Sequence, residues 1–297
     1  MNKLNFIDIH SHGAYGINFN TGDYFEIKSL LKKLFKRNIK GICPTLVGDS
    51  NKNIQKQLSI FNKIKEEQLK NKEKECLILG VHLEGTFLSP EKSGIQDKKV
   101  FKKPTIKNFQ NLVGEFEKII KIVTIAPELD ADLINYLNSK KIITQAGHSN
   151  GEDIKNCKGI THIFNAMPQI HHRNNSITLE GLTNDKIYCE IIADLIHTSK
   201  NTLKLLLKTK PLEKILLISD SLPSSHFEEK IIFCNKEIIN GKDENGTLAG
   251  SNNTIDEICK NLIKEKIMTK DEILVCAFEN QIKYLNLKNR EIDILKQ

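Results

Sequence analysis

Two histidines stand one residue apart in Asp8-Ile9-His10-Ser11-His12. On an extended chain, residues two apart share a face, so both imidazoles can turn to one side of a strand end. Neutral imidazole is the commonest metal ligand. Further along the chain, Glu84 follows Val81-His82-Leu83 and His148 follows Gln145-Ala146-Gly147. His162 follows Gly159-Ile160-Thr161, and Asp220 follows Leu217-Ile218-Ser219. Each ends or follows a short apolar run. Histidines and carboxylates carried by several strands and meeting at one rim can hold a divalent cation that activates water for hydrolysis. His82 lies two residues before Glu84, on the same face but deeper, and is expected to support the site from behind.

Strands and helices must bring these groups together. Eight β-rich apolar runs are legible: Leu4–His10, Ile39–Leu46, Cys76–Glu84, Lys121–Ala126, Lys141–His148, Gly159–Asn165, Tyr188–His197 and Glu213–Asp220. Most are apolar on both faces, as parallel strands covered by helices should be. Helical patterns lie between them at Tyr24–Arg37, Asn53–Leu69, Thr105–Ile119, Ala131–Ser139, Gly151–Cys157 and Ser199–Lys208. Two more follow the last strand, at Thr254–Glu265 and Lys270–Leu285. This alternation predicts an α/β protein with a (β/α)8, TIM-like barrel. The candidate residues all fall at the C-terminal ends of strands, the face where barrel enzymes keep their chemistry. Residues 1–297 read as one barrel domain, with 227–247 as the stretch that reads as a hairpin excursion or insertion after the last strand.

Composition sets bounds. A chain of 297 residues with 39% hydrophobic and 27% charged residues is neither disordered nor fibrous. The net charge of +7 comes from lysines spread along the chain, without a basic arm or interleaved aromatics, so nucleic acid is not an expected partner. Arginine occurs only at Arg37, Arg173 and Arg290. The seven cysteines are odd in number and widely spaced, and read as reduced core thiols. No apolar run suits a membrane helix, and Met1-Asn2-Lys3-Leu4 leads directly into a strand with no signal-peptide core. A cytoplasmic protein whose mature chain begins at Met1 is expected.

Several segments, in order, carry a more specific message. They are Phe6–Gly13, Val81–Gly85 with Phe87-Leu88, Thr124–Glu128, Ala146–Asn150, Thr161–Pro168 with His172-Arg173, and Ile191–Asp194 with His197. Ser219-Asp220 and Gly246–Ser251 complete the series. Together, from about residue 5 to about residue 285, they closely resemble the N-acetylglucosamine-6-phosphate deacetylases of the amidohydrolase superfamily.

The resemblance implies that Glu84, His148 and His162 are the main metal ligands and that His10 and His12 serve a second ion, with Glu84 bridging. It implies one or two divalent ions; histidine and carboxylate ligands suit zinc first, with iron, manganese and cobalt as the other candidates. Asp220 matches the catalytic aspartate. Asn165, the backbone amide of Ala166, Arg173 and His197 match positions that hold the sugar phosphate and ring hydroxyls, and Leu248 lies in a segment lining the substrate. In that family the arginine reaches into the neighbouring subunit's site, so the resemblance implies a homodimer. The implied reaction is removal of the N-acetyl group from N-acetylglucosamine 6-phosphate, releasing acetate and glucosamine 6-phosphate.

Three departures temper this. Gln96 stands twelve residues after Glu84, where the family has a histidine that polarises the acetyl carbonyl. Its amide can donate to an oxyanion but cannot carry charge, so Gln96 is a candidate catalytic group of reduced power. Thr86 replaces a proline, and Asn174-Asn175 replace the usual residues after the arginine. The small β-sandwich that family members build from both termini is expected to be mostly or wholly missing. Two alternatives therefore stand beside the main reading: an amidohydrolase for another N-acetyl sugar or N-acyl substrate, and a truncated, non-catalytic barrel.

Overall fold

The apolar runs become the staves of a barrel. The computed structural model describes residues 4–71 and 73–296; Met1 to Lys3, the start of the expected N-terminal lead-in, lie outside them. The strands are β1 (Phe6–Ser11), β2 (Ile39–Leu46), β3 (Val81–Leu83), β4 (Ile120–Ile125), β5 (Ile143–Ala146), β6 (Gly159–Ile160), β7 (Tyr188–Ile192) and β8 (Ile215–Ile218). They lie side by side in chain order, each parallel to the next. The ring closes between β8 and β1, where Asp220 N–H donates to His10 O at 2.8 Å and His12 N–H donates to Ser221 O at 2.8 Å. This is the (β/α)8 barrel that the alternating pattern predicts.

The helices form where caps and apolar stripes coincide. Helix α1 (Tyr24–Lys36) starts at a capping box between Asp23 and Glu26 and buries Ile27, Leu30, Leu31 and Leu34. Helix α2 (Asn51–Lys70) is capped by Ser50 and buries Ile54, Leu58, Phe61 and Ile64. Each such side chain, moved fully from water, contributes roughly 1.5–3 kcal/mol. Further helices are α3 (Ile106–Val113), α4 (Leu133–Ser139), α5 (Ile177–Thr183), α6 (Lys200–Thr209) and α7 (Ile255–Lys264). The chain ends in α8 (Lys270–Leu274), a π-turn, α9 (Asn280–Tyr284) and α10 (Asn289–Leu295).

The expected elements change in several places, and the strand expected over Tyr188–His197 already stops at Ile192, short of Leu195 at φ 66°. No helix forms over Gly151–Cys157. A stretch this short does not nucleate well, and here side chains take its backbone donors: Ile154 N–H donates to Glu180 and Lys155 N–H to Asp153. The expected strand Gly159–Asn165 stops at Ile160, because His162 (φ 29°) and Phe164 (φ 79°) leave the extended region. The run Cys76–Glu84 splits at Gly80 (φ 155°) into Leu77–Ile78 and β3. The helix expected over Thr105–Ile119 keeps its first half as α3 and tightens to a 3-10 turn from Gly114. Helices α5 and α10 had no expectation.

The excursion after β8 is a two-stranded antiparallel hairpin, β9 (Lys230–Phe233) and β10 (Lys236–Ile239). Its turn is Cys234-Asn235, both at positive φ (52° and 60°), as a two-residue hairpin loop requires. The two Asn-Gly pairs, Asn240-Gly241 and Asn245-Gly246, lie after it.

At the opposite end of the barrel, Arg37 clamps the fully buried Asp256 with two hydrogen bonds of 3.0 and 2.9 Å. Burial works to raise the Asp256 pKa, but Arg37, Lys260 and Thr254 outweigh it and hold the carboxyl below its usual value. Such a group adds stability above its unfolded pKa and loses it as pH falls through the folded one. Arg37→Ala leaves Asp256 with Lys260 and Thr254 only, so we expect a loss of about 2–3 kcal/mol in urea unfolding near neutral pH. The variant should also show a shallower loss of stability toward acid. A change below about 0.5 kcal/mol would show that Lys260 alone suffices.

Candidate metal centre

Glu84 is set at the mouth by β3. Its backbone N–H donates to Leu46 O at 2.9 Å, and the Gln96 amide donates to its carbonyl at 2.8 Å. The next residue must be glycine: a Cβ at Gly85 would lie 2.0 Å from Gly48 N. The two carboxylate oxygens of Glu84 then face different partners. Oε1 lies 2.9 Å from His148 Nε2 and 2.9 Å from His162 Nε2, and these two nitrogens are 3.1 Å apart. Oε2 lies 3.2 Å from His12 Nε2 and 3.6 Å from His10 Nε2. Asp220 Oδ1 is 3.0 Å from His12 Nε2 and 3.4 Å from His10 Nε2. Atoms that share one tetrahedral ion at 2.0–2.1 Å sit about 3.3–3.4 Å apart. The distances around His10 and His12, 3.0 to 3.6 Å, bracket that spacing; those around His148 and His162, 2.9 to 3.1 Å, are a few tenths of an ångström tighter.

The donor chemistry fits a cation as well. His10 Nε2 and Asp220 Oδ1 are buried and make no hydrogen bond, which is costly for protein groups with nothing between them. The far ring nitrogens of three histidines are occupied: His10 by Glu190 Oε2 (3.0 Å), His12 by Thr45 O (3.2 Å) and His148 by Lys92 O (2.7 Å). With Nδ1–H donating there, each Nε2 lone pair points into the cluster.

Electrostatics point the same way. Burial opposes charge on His10, but Asp220, Glu84 and Glu190 outweigh it and hold its pKa well above the ordinary value. His12 is also penalised by burial, yet Asp220 and Glu84 lift it to about 9. Burial alone would raise Glu84 and Asp220; the surrounding imidazoles bring both below the usual carboxylate values. The cluster calls for positive charge. His82 is the exception: burial, aided by His10, holds its pKa well down, and both ring nitrogens are engaged, by Ile9 O and Thr124 Oγ1. It sits behind the candidate ligands, at van der Waals range of the His10 ring (4.6 Å between centroids).

Backbone strain marks the same rim. His148, His162, Ala166, Leu195 and Asp220 all have positive φ, a region side-chain-bearing residues enter at a cost. Gly250 packs behind Asp220: a Cβ there would come within 2.7 Å of Asp220 O. Thr86 has φ 74°, which a proline ring forbids, so the Thr86 loop follows its own path.

A cavity of about 420 Å³ opens above the cluster. Gln96, Asn165, Ala166, His197 and Leu248 line it, beside His12, Glu84, His148, His162 and Asp220. His10 lies beneath, fully buried. Arg173 is apart from these residues, on an exposed loop that does not line the cavity. Gln96 reaches the wall, but its amide nitrogen is directed at Glu84, 2.8 Å from the carbonyl and 3.4 Å from Oε2, while its oxygen accepts from Gly48 N–H. His197 is held at Nδ1 by Asp194 (2.8 Å) and leaves a buried Nε2 without a partner. Phe233 of the hairpin packs over the His12 ring at 5.3 Å and completes one wall.

Four residues escaped the sequence reading as functional groups. Glu190 had a legible signal, as the lone charge in the apolar run Tyr188–Ile192. Asp194 stands three before His197, a spacing that lets one turn join them. Lys92, the one lysine or arginine lining the cavity among the described residues, looks like any other lysine in the sequence. Phe233 is indistinguishable from an ordinary strand residue.

Comparison with known proteins places these features in company. No family model matches the chain. It is 28% identical to N-acetylglucosamine-6-phosphate deacetylase of Bacillus subtilis, over 96% of this chain and 75% of that protein. The enzyme of the same name from Danio rerio is 32% identical over 73% of this chain, which spans 57% of that relative. Among solved structures, N-acetylglucosamine-6-phosphate deacetylase from Thermotoga maritima superposes with a TM-score of 0.86 at 26% identity, over 97% of this chain and 80% of the other. That of Pasteurella multocida gives 0.84 at 25% identity, over 95% and 76%.

Proposed function

We propose that this chain, a carbon–nitrogen hydrolase related to the N-acetylglucosamine-6-phosphate deacetylases, hydrolyses N-acetylglucosamine 6-phosphate to glucosamine 6-phosphate and acetate. The observation that carries this reading is the split presentation of Glu84, one oxygen to His148 and His162 and the other to His10 and His12, with Asp220 beside the second group. It favours two divalent ions, with zinc, iron, manganese or cobalt suited to this nitrogen and carboxylate set. A divalent ion held there would lower the pKa of water from 15.7 to about 7 and polarise an amide carbonyl.

The side chains supply the rest. Asp220 takes a proton from the attacking water and returns it to the departing nitrogen, first base and then acid. His197, fixed by Asp194, offers Nε2 to a sugar hydroxyl. Asn165 and the Ala166 amide stand ready for the phosphate end. Gln96 keeps Glu84 in place with its amide and so acts on the carboxylate rather than on the substrate carbonyl. Arg173, exposed on its own loop, would extend to a partner's cavity in a homodimer. No helix among the described residues is long and apolar enough to cross a membrane, and the seven free thiols suit a reducing cytoplasm.

The decisive test is acetate release by the metal-loaded protein from N-acetylglucosamine 6-phosphate and from its unphosphorylated counterpart. We expect strong preference for the phosphorylated sugar. Lys92→Ala should raise KM for it by about 10-fold or more, the weight of one charge-assisted contact, with kcat little changed. The absence of Arg173 from the cavity favours a second reading, an N-acyl substrate without phosphate. Equal turnover of both sugars, with Lys92→Ala silent, would establish that reading instead.

A further inference from the structure

Beneath the cavity, polar side chains form a closed ring through the barrel interior. His10 Nδ1 lies 3.0 Å from Glu190 Oε2, and Gln145 donates to Glu190 Oε1 at 2.9 Å. The Thr161 hydroxyl lies 3.0 Å from Gln145 Oε1 and 2.8 Å from the Thr124 hydroxyl. Thr124 meets His82 Nε2 at 2.8 Å, and His82 Nδ1 meets Ile9 O at 3.2 Å, back on β1. All six side chains have zero exposure. A carboxylate so deeply buried is costly unless it is paired and hydrogen-bonded, and no lysine or arginine pairs with Glu190 in any ion pair of the described residues. Among the described residues, its one ion-pair partner is His10.

We propose that Glu190 is a positioning residue that builds the half-site at His10 and His12 and thereby makes the centre take a second ion. By accepting from His10 Nδ1–H, it fixes the tautomer whose Nε2 lone pair faces Glu84 Oε2 and Asp220 Oδ1. Its charge also makes that nitrogen a stronger donor to a cation. The two halves of the centre differ in this respect. His148 donates Nδ1–H to a neutral carbonyl, Lys92 O, and His162 Nδ1 has no partner. The buried carboxylate meets an imidazole of one half only, and reaches the other through the longer contact it accepts from the His162 backbone N–H at 3.4 Å, so its removal should weaken one ion far more than the other. This inference rests on the two-ion reading proposed above.

The test is metal titration of the apo-protein with zinc, followed by inductively coupled plasma mass spectrometry, and with cobalt(II), followed by its visible absorption bands. Wild type should take two ions per chain. Glu190→Gln, which keeps an acceptor oxygen but loses the charge, should bind one ion as wild type does and the other about 10- to 100-fold more weakly. His10→Asn should lose the same ion and the same cobalt bands. An unchanged melting temperature of the apo-variant separates this from unfolding. Gln145→Leu, which frees the far oxygen of Glu190, should weaken the same ion by a smaller factor and decides the matter if Glu190→Gln does not fold. Two ions bound by the folded variant as tightly as by wild type, or both weakened alike, overturns the proposal. A wild-type chain that takes up a single ion overturns the two-ion reading itself.

Discussion

Asp220→Asn is expected to lower kcat for acetate release about 10²- to 10⁴-fold, the usual contribution of a placed acid–base group. The substitution is nearly isosteric. The asparagine oxygen can occupy the place of Oδ1, 3.0 Å from His12 Nε2 and 3.4 Å from His10 Nε2, so the cavity and the histidines keep their arrangement. What disappears is the capacity to accept a proton. An amide neither takes one from water nor returns one to the amine. Substrate affinity should therefore stay within a few-fold of wild type, measured by calorimetry, while single-turnover chemistry slows. A variant that keeps more than a tenth of wild-type kcat would remove Asp220 from the mechanism. A wild-type protein without turnover would leave the non-catalytic barrel as the better description.

Glu84→Ala is expected to abolish both metal binding and activity. Among the described residues it is the one side chain that touches all four histidines of the two clusters, two through each oxygen. Without it, the imidazoles of His148 and His162 face each other 3.1 Å apart with no anion between them. At their Nε2 atoms, His10 and His12 keep only Asp220. Metal analysis after dialysis should find no ion retained, and acetate release should fall to background. Stability gives a second measure. A ligand at about 100 times its dissociation constant stabilises a fold by about 2.7 kcal/mol per site. A chelator should therefore lower the melting temperature of the metal-loaded wild type and leave that of Glu84→Ala unchanged. Retention of one full equivalent by the variant would show that a half-site stands without the bridge.

The barrel was legible because its strands carry a pattern that local rules can read. Runs such as Ile39–Leu46 are apolar on both faces, and the observed strand has those bounds. Where the chain obeys the site rather than its propensity, the reading failed. Thr161 to Asn165 looks like strand, but His162 and Phe164 adopt positive φ to turn imidazole and backbone toward the cavity. The stretch 151–157 looks helical, yet Glu180, from a helix that was itself not anticipated, takes its backbone donor. The candidate site residues could be singled out because histidine and carboxylate are scarce at strand ends. Glu190 shows the limit: a charged residue inside an apolar strand is visible in sequence, but that its partner is His10, 180 residues away, is a fact of the closed barrel. Gln96 shows another, since only coordinates reveal that its amide is committed to Glu84.

The seam of the barrel runs through its chemistry. β8 and β1 join by backbone hydrogen bonds at His10, His12 and Asp220, and Ser11 and Ser221 bond across the same line from positions 210 residues apart. The first and last staves thus meet through the residues that would grip the second cation. An ion there would act as a rivet across the joint. It would pull together the ends of the longest loop that the barrel must close, and resist the first crack by which the sheet would open. Enzyme and fold would then be completed in one event, and half-closed intermediates would carry no competent site.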